Sequence, residues 1–228
     1  MENLKKCSLC GSKEMDIEYF SMKIGEEMMD IGLISRGTLM QFIVFSFVPF
    51  IWWLIKYQKH TTFFKWIGLY KPEKCVSNKH VIFAIAGYMM IWLITHLPAI
   101  TNYTQPSANA YAGLRFEAVI PILIVCFLQN GVCEELLFRG FIGKRLIAIF
   151  GVNIGNIAQA ICFGLVHVLF FSGDGMITYI LLIITTSLGG WMLGYLDEKI
   201  FNGSIIPSII LHGLGNFLIN MSKAFSIL

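Results

Sequence analysis

The sequence predicts an all-α, polytopic transmembrane helix bundle of about six spans with a short polar N-terminal tail. Of its 228 residues 56% are hydrophobic and only 14% are charged, and the mean hydropathy is +0.70. Soluble domains carry about 25% charged residues, so this composition excludes both an ordinary soluble domain and a disordered chain. The net charge of +3 is small and scattered, which argues against a nucleic-acid partner. The expected surroundings are a lipid bilayer.

The tail, residues 1–37, is hydrophilic and holds Cys7 and Cys10 as CSLC. A lone CxxC supplies half of a tetrahedral zinc site, so metal or redox use would need a second pair from another copy or a partner. The alternative is that both cysteines are incidental. Because this polar start shows no cleavable signal peptide, the first apolar segment is expected to target the chain.

Residues 38–117 form the next unit, with spans predicted at 38–55 and 81–100, each long enough for a roughly 30 Å hydrocarbon layer. The loop between them holds six lysines and one glutamate, which predicts a cytoplasmic location. This polarity places the tail outside, although the tail holds five Lys or Arg residues. If the first segment were instead a re-entrant hairpin bent at Pro49, the tail would lie on the opposite, cytoplasmic side. His96 is expected to be interfacial.

Residues 118–220 form a core that contains the remaining spans, and residues 221–228 form a C-terminal tail. Those spans are predicted at 117–145, 154–171, 176–196 and 204–220. The fifth span contains Gly189, Gly190 and Gly194, small residues that allow close helix approach.

The charged stretch EELLFRG, residues 134–140, lies within apolar sequence. Burying ionisable groups in hydrocarbon costs roughly 2.5 to 3.5 kcal/mol each, so such groups face a bundle interior and have functions there. In an α-helix, residues four apart share a face, so Glu135 and Arg139 are predicted to pair. Glu134 then lies on the neighbouring face, free to meet another helix. One structural carboxylate and one general base are expected from this arrangement.

Two later segments carry polar groups at helical spacing: FGLVH contains Phe163 and His167, and HGLGN contains His212 and Asn216. The cytoplasmic ends of these three spans are expected at Arg145, Ile154 and Ser204. At 1.5 Å per residue, Glu134, His167 and His212 lie about 16, 20 and 12 Å from those ends. Three antiparallel helices can therefore bring these groups together to activate water and stabilise an oxyanion. A lone His or Asn in a span is more often only an interhelical hydrogen-bonding group. The depth from the Lys144 side favours a pocket that opens to the cytoplasm.

EELLFRG, FGLVH and HGLGN together resemble the EExxxR, FxxxH and HxxxN pattern of the CPBP intramembrane proteases. This family is also called the CAAX-protease and bacteriocin-processing, or Abi, family, and the Ras-converting enzymes form one branch. The resemblance covers about residues 118–220. It implies proteolysis at the membrane, with Glu134 and His167 activating water and with His212 and Asn216 binding the oxyanion.

The remaining matched residues have supporting roles in this resemblance. Glu135 and Arg139 are implied to orient Glu134, and Phe163 to form the pocket wall. Members of the family are often labelled metalloproteases, and in a zinc-dependent version the ligands would be Glu134, His167 and His212, with the tail cysteines a weaker set. Metal-free use of the same groups is favoured, and no cofactor is firmly expected.

Two other functions compete with an intramembrane endopeptidase. A transporter-like protein would use intramembrane charges for an ion pathway, but paired repeats with broken helices would be expected in both halves. A bacteriocin-immunity protein would bind its partner without cleaving it. The expected location is a bacterial cell membrane, and the expected partner is a membrane-associated, prenylated or secreted peptide or protein.

Overall fold

The structure is a computed structural model that describes residues 31–74, 76–96, 103–104, 110–170, 172–173 and 175–227. These residues form an all-α membrane helix bundle, as predicted. The only sheet in the described ranges is a pair of two-residue strands, in which β1, Tyr103–Thr104, runs antiparallel to β2, Ser172–Gly173. This pair joins the loop after the second long helix to the turn before the fifth predicted span.

The first half of the chain contains α1, Ile31–Lys56, the short α2, Phe63–Ile67, and α3, Asn78–His96. Helix α1 continues through Pro49, so the first segment is not a re-entrant hairpin. Ile31 and the Lys-rich loop therefore lie at opposite ends of this helix. Helix α1 also begins within the predicted tail. Residues 31–37 contain one charge, Arg36, and in apolar surroundings the backbone groups are satisfied by extending the helix.

The second half begins with a long central helix. It consists of a 3-10 turn, Arg115–Ala118, then α4, Val119–Leu123, and two π-helical stretches, Ile124–Glu134 and Leu136–Gly143. Three further helices follow: α5, Lys144–His167; α6, Gly175–Tyr195, extended by a π turn at Leu196–Ile200; and α7, Ile206–Ala224.

Most of EELLFRG lies in π-helical rather than α-helical backbone. Hydrogen bonds in a π-helix join residues five apart, so the turn is wider and residues four and five apart both lie near one face. Long π-helical stretches are rare, and short ones occur frequently at functional sites. The α-helical geometry assumed from the sequence was therefore wrong in detail here, although Glu135 and Arg139 still lie on one face.

Helix α5 reverses direction at Gly151, whose backbone has φ 76° and ψ 166°. A positive φ of this kind is readily adopted only by glycine. Beyond the reversal, Gly155 packs against Ile147 and Gln159 packs against Gly143. The second part of α5 therefore runs back along the central helix, and it carries Phe163 and His167 towards Glu134.

Four helical runs in the described part of the chain are long and apolar enough to cross a membrane: Ile31–Lys56, Asn78–His96, Arg115–His167 and Gly175–Ile200. The third run contains two predicted spans, separated at Gly151. Helix α7 falls outside this set because it contains Ser208, His212, Asn216 and Asn220. It nevertheless packs on the central helix, and its buried end, Ala224, lies four residues beyond the predicted core boundary.

The interface between α5 and α6 shows the close approach predicted from the glycines. A Cβ atom at Gly194 would lie 1.9 Å from Asn156 Oδ1. At this interface Asn156 Nδ2 donates to Trp191 O at 3.0 Å, and Gln159 Nε2 donates to Gly190 O at 3.1 Å. Small residues on α6 thus let side-chain amides on α5 reach the α6 backbone.

Candidate active site

Glu135 and Arg139 form a buried ion pair, with Arg139 Nη1 3.0 Å from Glu135 Oε1 and side chains 2% and 0% exposed. This is the pairing predicted from their spacing. Arg139 Nη2 also donates to Gly190 O at 3.4 Å, and the guanidinium carbon lies 4.1 Å from the centre of the Phe163 ring. Arg139 therefore connects the central helix to both α5 and α6. Burial of a pair is tolerated only when both charges have partners, as here.

Glu135 has a second partner that the sequence did not indicate, because its Oε1 lies 2.7 Å from His212 Nδ1 on α7. The carboxylate accepts this hydrogen bond, so Nδ1 carries the proton. A carboxylate on one imidazole nitrogen fixes the ring orientation and the tautomer, as in hydrolytic triads. The ring therefore presents Nε2 to the other carboxylate, Glu134, whose Oε2 is 4.0 Å away.

His167 is oriented by its own helix. Its Nδ1 lies 2.8 Å from Phe163 O, to which it donates, and its Nε2 lies 3.9 Å from Glu134 Oε2. The Phe163 ring centre is 4.2 Å from the His167 ring and 5.9 Å from the His212 ring. Phe163 thus separates the two imidazoles from Arg139 and forms the wall behind them.

Glu134 Oε2 is buried and has no hydrogen-bond partner among the described residues. The two Nε2 atoms, at 3.9 and 4.0 Å, are beyond direct hydrogen-bond distance. Glu134 Oε2 thus lies close to both imidazoles without being bonded to either of them. The structure therefore brings the three groups together at the common depth expected from the sequence.

These groups border a cavity of about 530 Å³, a size typical of a small-ligand site. Glu134, Phe163, His167, His212 and Asn216 all line it, whereas Glu135 and Arg139 lie behind its wall. The half-buried side-chain amide of Asn216 makes no hydrogen bond within the described part of the chain.

Helix α3 contributes residues to the cavity that the sequence reasoning missed. Tyr88, Trp92 and His96 line it, so His96, which was expected to be interfacial, also borders the cavity. The Trp92 ring packs against the His96 ring in a tilted arrangement with centroids 4.7 Å apart, and Trp92 Nε1 is buried without a partner among the described residues. The signal was their spacing, since residues four apart share a helix face.

The cavity extends towards one end of the bundle. His96 ends α3, Leu169 and Phe170 follow α5, and Gln41 lies in the first half of α1; all of them line the cavity and lie away from Lys144. We call this end the mouth end. The expected opening on the Lys144 side is therefore wrong.

The Lys144 end is closed by packing that the sequence does not reveal. Tyr70 Oη donates to Asn202 O at 2.7 Å, and Ile205 N donates to Gly68 O at 3.0 Å. Lys144 Nζ pairs with Glu198 across the same end. The loop after α2 thus covers the Lys144 end of the bundle.

No group of three or more His, Cys, Asp or Glu side chains within the described ranges is arranged to hold a metal ion. That finding includes Glu134, His167 and His212, the ligand set of the zinc-dependent alternative. Cys7 and Cys10 lie outside the described residues.

The family described as "Type II CAAX prenyl endopeptidase Rce1-like" matches residues 115–218. This segment starts at the central helix and ends within α7, so it contains all the residues of the motif pattern. No curated protein and no solved structure matches the chain.

Proposed function

We propose that the chain is a glutamate-dependent intramembrane endopeptidase, because residues 115–218 match the Rce1-like family of type II CAAX prenyl endopeptidases. The observation that carries this proposal is the position of Glu134 Oε2, unpartnered among the described residues and facing two imidazole Nε2 atoms across the cavity. The proposed substrate is a membrane-associated, prenylated or secreted peptide.

In the proposed reaction a water molecule lies between Glu134 and His167. As the water oxygen attacks the scissile carbonyl carbon, one of its protons moves to the Glu134 carboxylate, and His167 Nε2 accepts a hydrogen bond from the water. Both imidazoles donate through Nδ1, so in their neutral forms each presents an Nε2 lone pair. His167 is therefore suited to share the activation of water.

The tetrahedral intermediate carries a negative charge on the former carbonyl oxygen. The Asn216 amide can donate to this oxygen, and so can His212 Nε2 when the ring carries both protons, with Glu135 as counter-ion 2.7 Å from Nδ1. Collapse breaks the C–N bond, and the proton held by Glu134 passes to the leaving amine, which leaves Glu134 ionised again. The products are an amine and a carboxylic acid, and the acid releases its proton to solvent as it becomes a carboxylate.

The test is cleavage of a quenched fluorescent peptide library by detergent-purified protein. Because Glu134→Gln keeps the shape but removes the base, cleavage should fall by roughly 10²–10⁴-fold, the usual contribution of general-base catalysis. His212→Ala should also lose cleavage, and a strong chelator should leave the wild-type rate unchanged.

Three results would contradict this mechanism. Wild-type cleavage by a folded, membrane-inserted Glu134→Gln protein would remove Glu134 from the reaction. Loss of activity with the chelator, restored by added zinc, would establish metal dependence. No cleavage by any form, together with retained protection of cells by Glu134→Gln, would favour the immunity function.

We further propose a multi-pass arrangement of six spans in a bacterial cell membrane, with the Lys-rich loop in the cytoplasm. The mouth end, residue 31 and the C-terminus would then face outward. In a background without native cysteines, a membrane-impermeant maleimide applied to intact cells should label Ser226→Cys but not Gln58→Cys. The reverse labelling would place the mouth in the cytoplasm and restrict substrates to peptides that have not been exported.

A further inference from the structure

Two amide side chains, Gln129 and Asn130, precede Glu134 on the central helix and line the same cavity. They lie five and four residues before it, in π-helical backbone. Residues at both spacings lie near one face of a π-helix. Both amides are therefore on the Glu134 face, about one turn closer to the mouth end.

Gln129 has a structural explanation. Its Nε2 donates to Gln41 Oε1 at 3.1 Å, and Gln41 Nε2 donates to Gln129 O at 3.1 Å. Thr38 Oγ1 adds a donor to Gln129 Oε1 at 3.2 Å. Polar bonds of this kind hold transmembrane helices together, so Gln129 anchors α1 to the central helix.

Asn130 has no such explanation. Its side chain is half-buried and lines the cavity, and it makes no hydrogen bond within the described part of the chain. A polar group in a membrane protein interior is costly and is commonly functional. Nearby cavity walls are largely apolar, with Phe45, Ile91 and Val125 among them. Asn130 is thus an amide on the cavity wall near the proposed base, without a hydrogen-bond partner among the described residues.

We propose that Asn130 binds the main chain of the substrate peptide, an assignment that rests on the proposed protease function. An asparagine amide presents both N–H donors and a carbonyl acceptor, which match the C=O and N–H groups of an extended peptide. Apolar walls beside a few polar anchors are the usual composition of a ligand site. Because the amide is neutral, it selects uncharged peptide backbone rather than an ionic side chain.

The position along the peptide follows from helix geometry. Four residues of helix rise at most about 6 Å, which equals roughly two residues of extended peptide at about 3.3 Å each. Asn130 therefore contacts the main chain about two residues from the scissile bond, on the side of the mouth end.

The experiment compares wild type, Asn130→Leu and the matched control Asn153→Leu, which makes the same change at an exposed position outside the cavity. Each protein is given one cleaved peptide and a set of its derivatives with single backbone N-methyl groups. With the parent peptide, Asn130→Leu should raise KM about 3- to 10-fold at nearly unchanged kcat, the expected loss of one hydrogen bond to bound substrate. Asn153→Leu should match wild type.

N-methylation about two residues from the scissile bond should weaken wild type but have no further effect on Asn130→Leu, because the lost contact is the same one. Additive losses, or a fall in kcat at constant KM, would overturn the assignment. The unfolding temperature of Asn130→Leu in detergent must match that of wild type, so that loss of folding does not explain the change in KM.

Binding of the same peptides to Glu134→Gln protein separates the subsite from catalysis. Weaker binding of the parent peptide when Asn130→Leu is added to that background would support the subsite even if Glu134 proved dispensable for cleavage. Unchanged binding would overturn the subsite while leaving the protease proposal intact.

Discussion

The two halves of this chain use the membrane differently. In the first half, 11% of an apolar 18-residue stretch of α1 is buried, and 17% of a similar stretch of α3. In the second half, the buried share of such a stretch is 33% in each of the runs Arg115–His167 and Gly175–Ile200. Among the described residues, the buried polar side chains of the first half are Thr38 and Thr95, whereas Glu135, Arg139, Gln159 and His212 are among those of the second half. The first half thus supplies part of the cavity wall, and the second half holds the buried charged groups.

The second half is held together by polar contacts that run through all four of its helices. Gln159 on α5 and Arg139 on the central helix both donate to Gly190 O on α6. Arg139 pairs with Glu135, and Glu135 accepts from His212 on α7. Asp197 Oδ1 also accepts from Ser208 N at 3.2 Å, which joins the end of α6 to the start of α7. The orientation of His212 thus depends on a buried partner on another helix, whereas His167 is oriented by a carbonyl of its own helix.

The largest expected difference between the halves comes from removing an arginine. Arg139→Met leaves Glu135 as a buried carboxylate without its cation, so a loss of roughly 3–5 kcal/mol in the free energy of unfolding is expected, together with loss of peptide cleavage. Arg36→Met, on exposed α1, should change stability by less than about 0.5 kcal/mol. Thermal unfolding and cleavage assays in detergent measure both. Equal effects at the two positions would show that the second half is not specially dependent on buried pairing.

An intermediate difference is expected from two glycine substitutions. In Gly194→Ala the new Cβ would overlap the side-chain amides of Asn156 and Gln159, so these amides must shift and weaken their bonds to the α6 backbone, at a cost of roughly 1–3 kcal/mol. Nothing lies within 4 Å of a Cβ at Gly37, and Gly37→Ala should be neutral or stabilise α1 by up to about 1 kcal/mol. The two melting temperatures are compared with wild type. A stable, active Gly194→Ala protein would mean that the α5/α6 interface tolerates more repacking than its geometry indicates.

The smallest effect is expected in the tail. Because a lone CxxC provides only half of a zinc site, Cys7→Ser with Cys10→Ser should leave both cleavage rate and stability of the membrane core unchanged. Zinc content per chain, measured by atomic absorption before and after the double substitution, checks for a shared site. A drop in zinc or in activity would assign the tail a role that its composition alone does not require.

Sequence alone was enough to predict the membrane helix bundle, the Glu135–Arg139 pair and the set of residues that meet around Glu134. These features depend on hydropathy and on side-chain spacing within one helix, both of which are properties of the local sequence. The roles assigned to those residues stay predictions.

Other features were decided only in three dimensions: the π-helical backbone around Glu134, the contact of Glu135 with His212, the contribution of Trp92 and His96, and the direction of the cavity. Each depends on how separate helices pack. The loop that closes the Lys144 end is held by a hydrogen bond from Tyr70 to Asn202, which lies 132 positions later in the chain. No local sequence pattern specifies such a distant partner. Tertiary packing therefore decided where the space for a substrate lies, because that space is what the packed side chains leave unfilled.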